Sequence, residues 1–353
     1  MRFAQARGLL AKGPADGASG WARRGRRRSF LAVAVTGLAA VTLTAGCQTG
    51  GSQAQSTSTT AITVAAIRGA DTAPLFIAIK DGAFARAGLD VKVRTYPSVG
   101  DELQAVSKGA VDIASGDYVD FFAMAAKFAH PVLSVIADGY HAGPGVMEVL
   151  TYPGSGITSP QQLAHKTIGA PLAEGIPSSA TAPYSIETLA TTSVLTSDGV
   201  NADDITWKPM PASSLISALK AHKVNAILVE EPYIFQAEST LGAYAVLDSC
   251  SGATANLPLS GYFALTAFVN QRPTAVREFR RVLQQAQKSA VLLGPVRHVL
   301  AKDPGMTMEA ASLITIGSYP TSLNAASLQR VANLMFNFEM LNQAINVSSL
   351  IAH

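Results

Sequence analysis

The chain has 353 residues, 48% hydrophobic and 14% charged, which allows about two domain-sized units with a large core and disfavours wholesale disorder. Its formal charge of +3 is unevenly placed: eight of the 27 basic residues and one of the 24 acidic ones precede Cys47, leaving 19 basic and 23 acidic residues from Cys47 onward. That mildly acidic body argues against nucleic-acid binding, which needs a basic face on the folded part, and two cysteines, Cys47 and Cys250, are too few for a thiolate zinc site.

The first sixty residues read as an address. Arg26-Arg27-Arg28 precede an apolar run from Phe30 to Leu43 that ends in small residues and a cysteine. This is the layout of a signal peptide over residues 1–46. The run falls short of the roughly 20 residues that span a bilayer. Arg27-Arg28-Ser29-Phe30-Leu31 resembles the twin-arginine export motif, and the basic n-region fits the Sec route equally. Leu43-Thr44-Ala45-Gly46-Cys47 resembles a lipobox, with Cys47 as the lipidated first residue of the mature chain; its leucine stands one place earlier than usual. After Cys47, residues 48–60 are Gln, Thr, Gly and Ser with one Ala and no large apolar side chain, so 47–60 reads as a lipidated cysteine and a flexible tether.

From Ala61 the pattern changes to alternating strands and helices. Ile62–Ile67 is a β-rich run. Leu75, Phe76, Ile79, Phe84 and Ala87 sit at helical spacing and Gly88 stops the helix; Leu89–Val93 alternates as a strand does. Asp101-Glu102 start a helix with Leu103 and Val106 on its apolar stripe, and Val111–Ala114 is the next strand. Val119–Phe128 is helical and Val132–Ile136 is a strand. Strands separated by helices imply mainly parallel sheets covered on both faces. The unit recurs: Ile216, Leu219 and Val224–Ile227 repeat the spacing of Leu103, Val106 and Val111–Ile113. Both strands end in acidic loops, Gly116-Asp117 and Glu230-Glu231-Pro232. Between them, Met147–Thr151 and Thr167–Ala170 read as strands and Tyr184–Leu195 as a helix; later, Tyr262–Val269 reads as a strand, and the chain from Pro273 as nearly all helix.

Several of these segments carry a resemblance: Pro74-Leu75 through Asp81-Gly82-Ala83-Phe84, Gly88–Val91, Gly109–Ala114, Gly156-Ile157 with Gln162-Leu163 and Lys166–Gly169, Ala226 through Glu231-Pro232-Tyr233, Tyr262–Asn270, and Leu341-Asn342 to Val347. Together they resemble the solute-binding proteins of ABC importers in the nitrate, taurine and aliphatic-sulfonate class, related to binding proteins for the thiamine pyrimidine precursor. The resemblance spans Ile62 to Leu350. It implies the two-lobed α/β fold of periplasmic binding proteins (type II). Lobe 1 would be 61–145 plus 261–353 and lobe 2 would be 146–260, with Met147–Thr151 and Tyr262–Val269 as the crossings between them. It also implies a monomer at the outer face of the cytoplasmic membrane, a small organic ligand in the cleft, a permease and its ATPase as partners, and no cofactor.

In open α/β sheets a ligand sits beyond the carboxyl ends of strands, near helix N-termini. The loops that meet this rule offer Arg68, Asp71 and Thr72; Ser98 and Gly100; Gly116, Asp117 and Tyr118; Ser178, Ser179 and Thr181; and Glu231 with Tyr233. Arg68 either forks onto an anionic group or is a solvated loop residue. Asp117 either accepts from a ligand N–H or caps the next helix. Tyr118 and Tyr233 either stack on a flat ligand or pack. Of the adjacent Glu230 and Glu231, Glu231 is expected to face the cleft. Asp117 and a glutamate would repel a bare anion and suit a neutral or cationic nitrogen heterocycle or a zwitterion. No catalytic set emerges: the body's histidines are scattered without metal spacing, and no Gly-x-Ser-x-Gly elbow or phosphate loop occurs. A thiamine-pyrimidine-synthase-like enzyme would need a cysteine-rich iron-binding segment, whereas Cys250 stands alone in the body; a ligand sensor for a membrane receptor is the other alternative.

Overall fold

A computed structural model describes residues 59–128, 130–172, 185–302 and 306–352. The leader, Cys47 and the tether lie outside them.

The first half opens with β1 (Thr60–Ala65), α1 (Ala73–Lys80), α2 (Ala83–Arg86) and β2 (Leu89–Arg94). It continues through α3 (Val99–Ser107), β3 (Ile113–Asp117), α4 (Tyr118–Ala125) and β4 (Leu133–His141). The second half contains β5 (Met147–Thr151), β6 (Thr167–Pro171), α5 (Ile186–Ser197), β7 (Thr206–Met210), α6 (Ala212–Lys220), β8 (Ala226–Glu230), α7 (Tyr233–Leu241) and β9 (Tyr244–Asp248). The chain then returns to the first sheet as β10 (Pro258–Leu265) and ends in α8 (Thr266–Gln271), α9 (Pro273–Ala290), α10 (Gly294–Leu300), α11 (Met308–Leu313) and α12 (Ala325–Asn337).

Two five-stranded sheets result, ordered β2-β1-β3-β10-β4 and β7-β6-β8-β5-β9. In the first, β1 pairs in parallel with β2 and β3, while β10 runs antiparallel to both β3 and β4. In the second, β6 pairs in parallel with β7 and β8, and β5 opposes β8 and β9. Each sheet is therefore mixed, with four strands running one way and one inserted against them. The inserted strand is in each case the first one after the chain passes between sheets. The recurring helix–strand unit of the sequence is α3–β3 in one sheet and α6–β8 in the other, and β3 and β8 hold the same third place.

Helix starts follow local chemistry. Ser98 caps α3 by accepting from the Asp101 N–H at 3.1 Å, and Asp101 and Glu102 lie in its first turn, where the helix dipole favours negative charge. Asp117 caps α4 by accepting from the Asp120 N–H at 2.7 Å. Gly109 follows α3 at φ +69°, a conformation that a side chain would strain.

Side chains of β10 alternate between two cores. Tyr262 and Ala264 join Ile62, Val64 and the α9 residues Phe279 and Leu283. Phe263 faces the other way and stacks on Phe121 of α4, ring centres 4.2 Å apart. Because β10 is buried on both faces, its sequence carries no polar–apolar alternation, and Tyr262–Leu265 runs on as apolar residues with nothing to mark its end. The strand expected over Tyr262–Val269 thus starts earlier and stops at Leu265, where α8 begins; the Thr266 N–H donates to the Val132 carbonyl at 2.9 Å.

The two passages between sheets are the short segments 142–146 and 249–257, so Met147–Thr151 and Tyr262–Val269 are not the crossings. The first strand lies inside the second sheet, and the other segment is divided between β10 and α8. The passages are tied together: the Ala142 N–H donates to the Leu257 carbonyl at 2.8 Å and the Gly145 N–H to Asp248 Oδ2 at 3.2 Å. The segment from Pro273 onward is not all helix. Ser318 forms a two-way backbone bridge with His141, and Ile351 pairs beside Val135, so extended strips lie against β4. Arg330 of α12 holds the second passage by donating to the carbonyls of Ala253 (2.8 Å) and Ala255 (3.0 Å).

Candidate functional site

A cavity of about 300 Å³ lies where the ends of both sheets meet. The first half supplies the loop after β1 (Arg68 to Asp71), Val99 and Glu102 from the start of α3, Ser115, Gly116 and Asp117 from the end of β3, and Tyr140 and Ser260. The second half supplies Ile186 and Glu187 from the start of α5 and Glu230 and Glu231 from the end of β8. Val146 of the first passage and Thr315 of the C-terminal strip complete it. An adjoining cavity of about 310 Å³ shares Ile67, Val99, Asp117 and Glu187 and adds Ser98, Gly100 and Asp120. Both acidic loops of the repeated unit therefore open onto one space.

Of the residues singled out from sequence, Arg68, Asp71, Gly116, Asp117 and Glu231 line the first cavity, and Ser98 and Gly100 line the second. Three others are placed elsewhere. Thr72 is buried, and its hydroxyl donates to the Ile67 carbonyl at 2.6 Å, which fixes the loop rather than facing the cavity. Tyr118 is a core residue. Its hydroxyl donates to Asp138 Oδ1 at 2.8 Å and its ring meets the edge of Phe263, because the first residue of a helix capped at Asp117 points back into the sheet. Tyr233 packs on the apolar cluster between α6, α7 and β8 and is absent from both linings. Ser178, Ser179 and Thr181 lie outside the described residues.

The sequence reading passed over Glu102, Glu187 and Glu230. Glu102 is fully buried; Oε2 accepts from the Ser115 hydroxyl at 3.0 Å and Oε1 has no hydrogen-bond partner. A signal was available, since Glu102 shares a helix face with Val106 four residues on and both point inward. Glu230 and Glu231 both reach the cavity. Glu231 is already engaged, Oε2 accepting from the Phe235 N–H at 3.1 Å and Oε1 from the Thr315 N–H at 3.2 Å.

Electrostatically the site is a cluster of carboxyls that resist ionisation together. Burial pushes Glu102 up to about 8, with the charge of Asp71 adding and the Ser115 hydrogen bond opposing. Burial also raises Asp71 to about 6, against its hydrogen bonds. Asp120 is raised to about 7 by burial and by Glu187. Asp117 rises by burial and by its neighbours Asp120 and Glu187; Glu230 rises by burial, then through Glu187 and Asp71. Among the described residues Arg68 is the one basic residue in the lining, and its guanidinium lies over the Phe76 ring, 4.8 Å from the ring centre. Among the described residues no group of three or more His, Cys, Asp or Glu is placed to hold a metal ion.

The model of the NMT1-like family matches residues 55–294. No curated protein matches the chain. Among solved structures, the periplasmic aliphatic sulphonate binding protein SsuA from Escherichia coli superimposes with a TM-score of 0.67 at 15% identity, covering 83% of this chain and 97% of its own. The alkanesulfonate-binding protein SsuA from Xanthomonas axonopodis pv. citri, bound to MOPS, gives 0.65 at 15% identity, covering 83% and 98%. The periplasmic nitrate-binding protein NrtA from Synechocystis PCC 6803 gives 0.63 at 14% identity, covering 82% and 84%. At these identities the likeness establishes a shared fold, that of the periplasmic binding proteins.

Proposed function

The chain belongs to the NMT1-like family, and on that premise we propose that it is the solute-binding component of an ABC importer. It takes up a small organic ligand, pyrimidine-type or bearing a sulfonate or amine, in the cleft between two lobes (61–145 plus 261–353, and 146–260) and presents it to a permease driven by an ATPase. It acts as a monomer at the outer face of the cytoplasmic membrane, held there through lipid on Cys47, and performs no chemistry on its cargo. The observation that carries this reading is the cavity itself: polar side chains from the strand ends of both sheets converge on it, and the chain passes between the sheets through two short segments that are bonded to each other. Such a geometry suits capture by closure, in which the closed form is the one a transporter recognises. The shared fold with sulfonate- and nitrate-binding proteins supports it.

The test is a thermal-shift screen of the intact protein against pyrimidines, amines, alkanesulfonates, taurine and nitrate. A ligand at about 100 times its Kd adds roughly 2.7 kcal/mol, which raises the midpoint by several degrees. A product peak from any of these ligands in a turnover assay would overturn the non-enzymatic reading.

A further inference from the structure

We infer that the cargo presents a cationic nitrogen centre (an ammonium, amidinium or guanidinium) and that this centre seats against the unpartnered Oε1 of Glu102 at the head of the cleft. This deepens the binding-protein reading and rests on it.

Three observations converge. The first is the orphan oxygen. Glu102 lines the cavity and is fully buried; its Oε2 is engaged by Ser115, and its Oε1 is buried without a partner. A buried carboxyl oxygen without a donor costs stability unless something supplies one. A ligand N–H does so, and a charged one forms the shorter and stronger bond to the carboxylate, displacing the proton that Glu102 holds when the cleft is empty.

The second is the balance of charge around it. Asp71, Asp117, Glu187 and Glu230 line the same cavity as Glu102, from the loop after β1, from β3, from α5 and from β8. Among the described residues, the opposing charges are Arg68 in the lining, which is exposed and drawn onto the Phe76 ring, and Lys127, which acts on Asp120 from beyond the end of α4. The raised titration of Glu102 and Glu230 follows first from burial and then from neighbouring carboxyls, and that of Asp71 from burial. A cation relieves it; a sulfonate or nitrate adds to it.

The third is the state of the helix ends. Anion sites on this kind of scaffold use free N–H groups at helix N-termini. Here α3, α4 and α5 each already donate a first-turn N–H to their own cap, from Asp101 to Ser98, from Asp120 to Asp117 and from Thr188 to Ser185. The cap of α4 is itself an acid.

The experiment varies charge on a fixed skeleton. Benzamidinium, benzamide and benzenesulfonate share one ring, and butylammonium and butanesulfonate repeat the comparison on a chain. Calorimetry on the intact protein is expected to show binding of the two cations, at least tenfold weaker binding of benzamide, and none of the sulfonates. Glu102→Gln keeps the side-chain shape and is expected to weaken the cations at least tenfold; Glu230→Gln gives a second reading where the first substitution disturbs folding. Sulfonates binding as well as or better than the cations would overturn the charge assignment and leave the binding-protein reading intact. Full cation affinity in both variants overturns the placement at Glu102. A cleft inert to every probe overturns the inference together with the reading beneath it.

Discussion

Glu231 and Thr315 stand 84 residues apart in the chain and are joined by a 3.2 Å hydrogen bond from the Thr315 backbone N–H to Glu231 Oε1. The same carboxyl takes the Phe235 N–H on its other oxygen. One side chain thus holds the start of α7 and ties the second sheet to the strip that runs beside β4. Glu231→Ala is expected to cost about 1.5–3 kcal/mol, the range for a hydrogen bond to a charged group, read by urea denaturation. Glu231→Gln, which keeps one acceptor, is expected to recover part of that loss. An alanine variant as stable as the parent shows that the tie contributes nothing.

The empty protein is expected to lose stability as pH rises from about 5 to about 8. The folded state holds its proton on Glu102 up to about 8 against an ordinary value of 4.5, so between those values it binds more protons than the unfolded chain. Stability is then full below the lower value and falls through the upper one, at a slope of up to about 1.4 kcal/mol per pH unit for one such group. Asp71, raised to about 6, and Asp120, raised to about 7, act in the same direction over the lower part of the window. Melting midpoints measured across this range should fall, and Glu102→Gln should flatten the descent. Midpoints that climb with pH contradict the sign.

Asp117 is a helix cap by geometry and a cavity residue by position, and two substitutions separate the roles. Asp117→Ala removes both; it is expected to cost about 1 kcal/mol of stability and to weaken ligand binding at least tenfold. Asp117→Ser retains a cap and removes the charge, so stability should return while affinity does not. Affinity restored by serine assigns the residue to capping alone.

Cys47→Ala is expected to move the protein from the membrane fraction to the soluble one, with the same fold by circular dichroism. A variant that still sediments with membranes refutes lipid anchoring at that position.

The sequence exposed the alternation of strand and helix well, because β1, β2 and the helices between them carry clear apolar periods and glycine stops. It exposed the repeated α3–β3 and α6–β8 units through their matching spacing. It did not expose the direction of β5 and β10. Both are buried on each face apart from the half-buried Glu148, so their residues carry little alternation from which partners or ends could be read. The strip around Ser318 is invisible for a different reason: its bonds to His141 are backbone bonds, which leave no trace in side-chain chemistry. Loop residues were harder still. Asp71, Asp117 and Glu231 were recognisable as acids at strand ends, but Tyr118 stands beside Asp117 and points into the core. One residue of chain reverses the outcome there. Glu102 was read as a helix starter because acids are common in first turns, and that ordinary explanation hid its inward face.

Carboxyls face one another across the two halves, Asp117 against Glu187 and Asp71 against Glu230. For a carrier of cations this arrangement works as a spring. Drawing the halves together over nothing sets carboxyls against one another and is opposed unless they stay protonated, whereas drawing them over a positive centre lets them ionise and converts the same groups into a latch. The shape offered to the importer would then report occupancy, and an empty carrier would be kept from triggering a futile round of ATP hydrolysis.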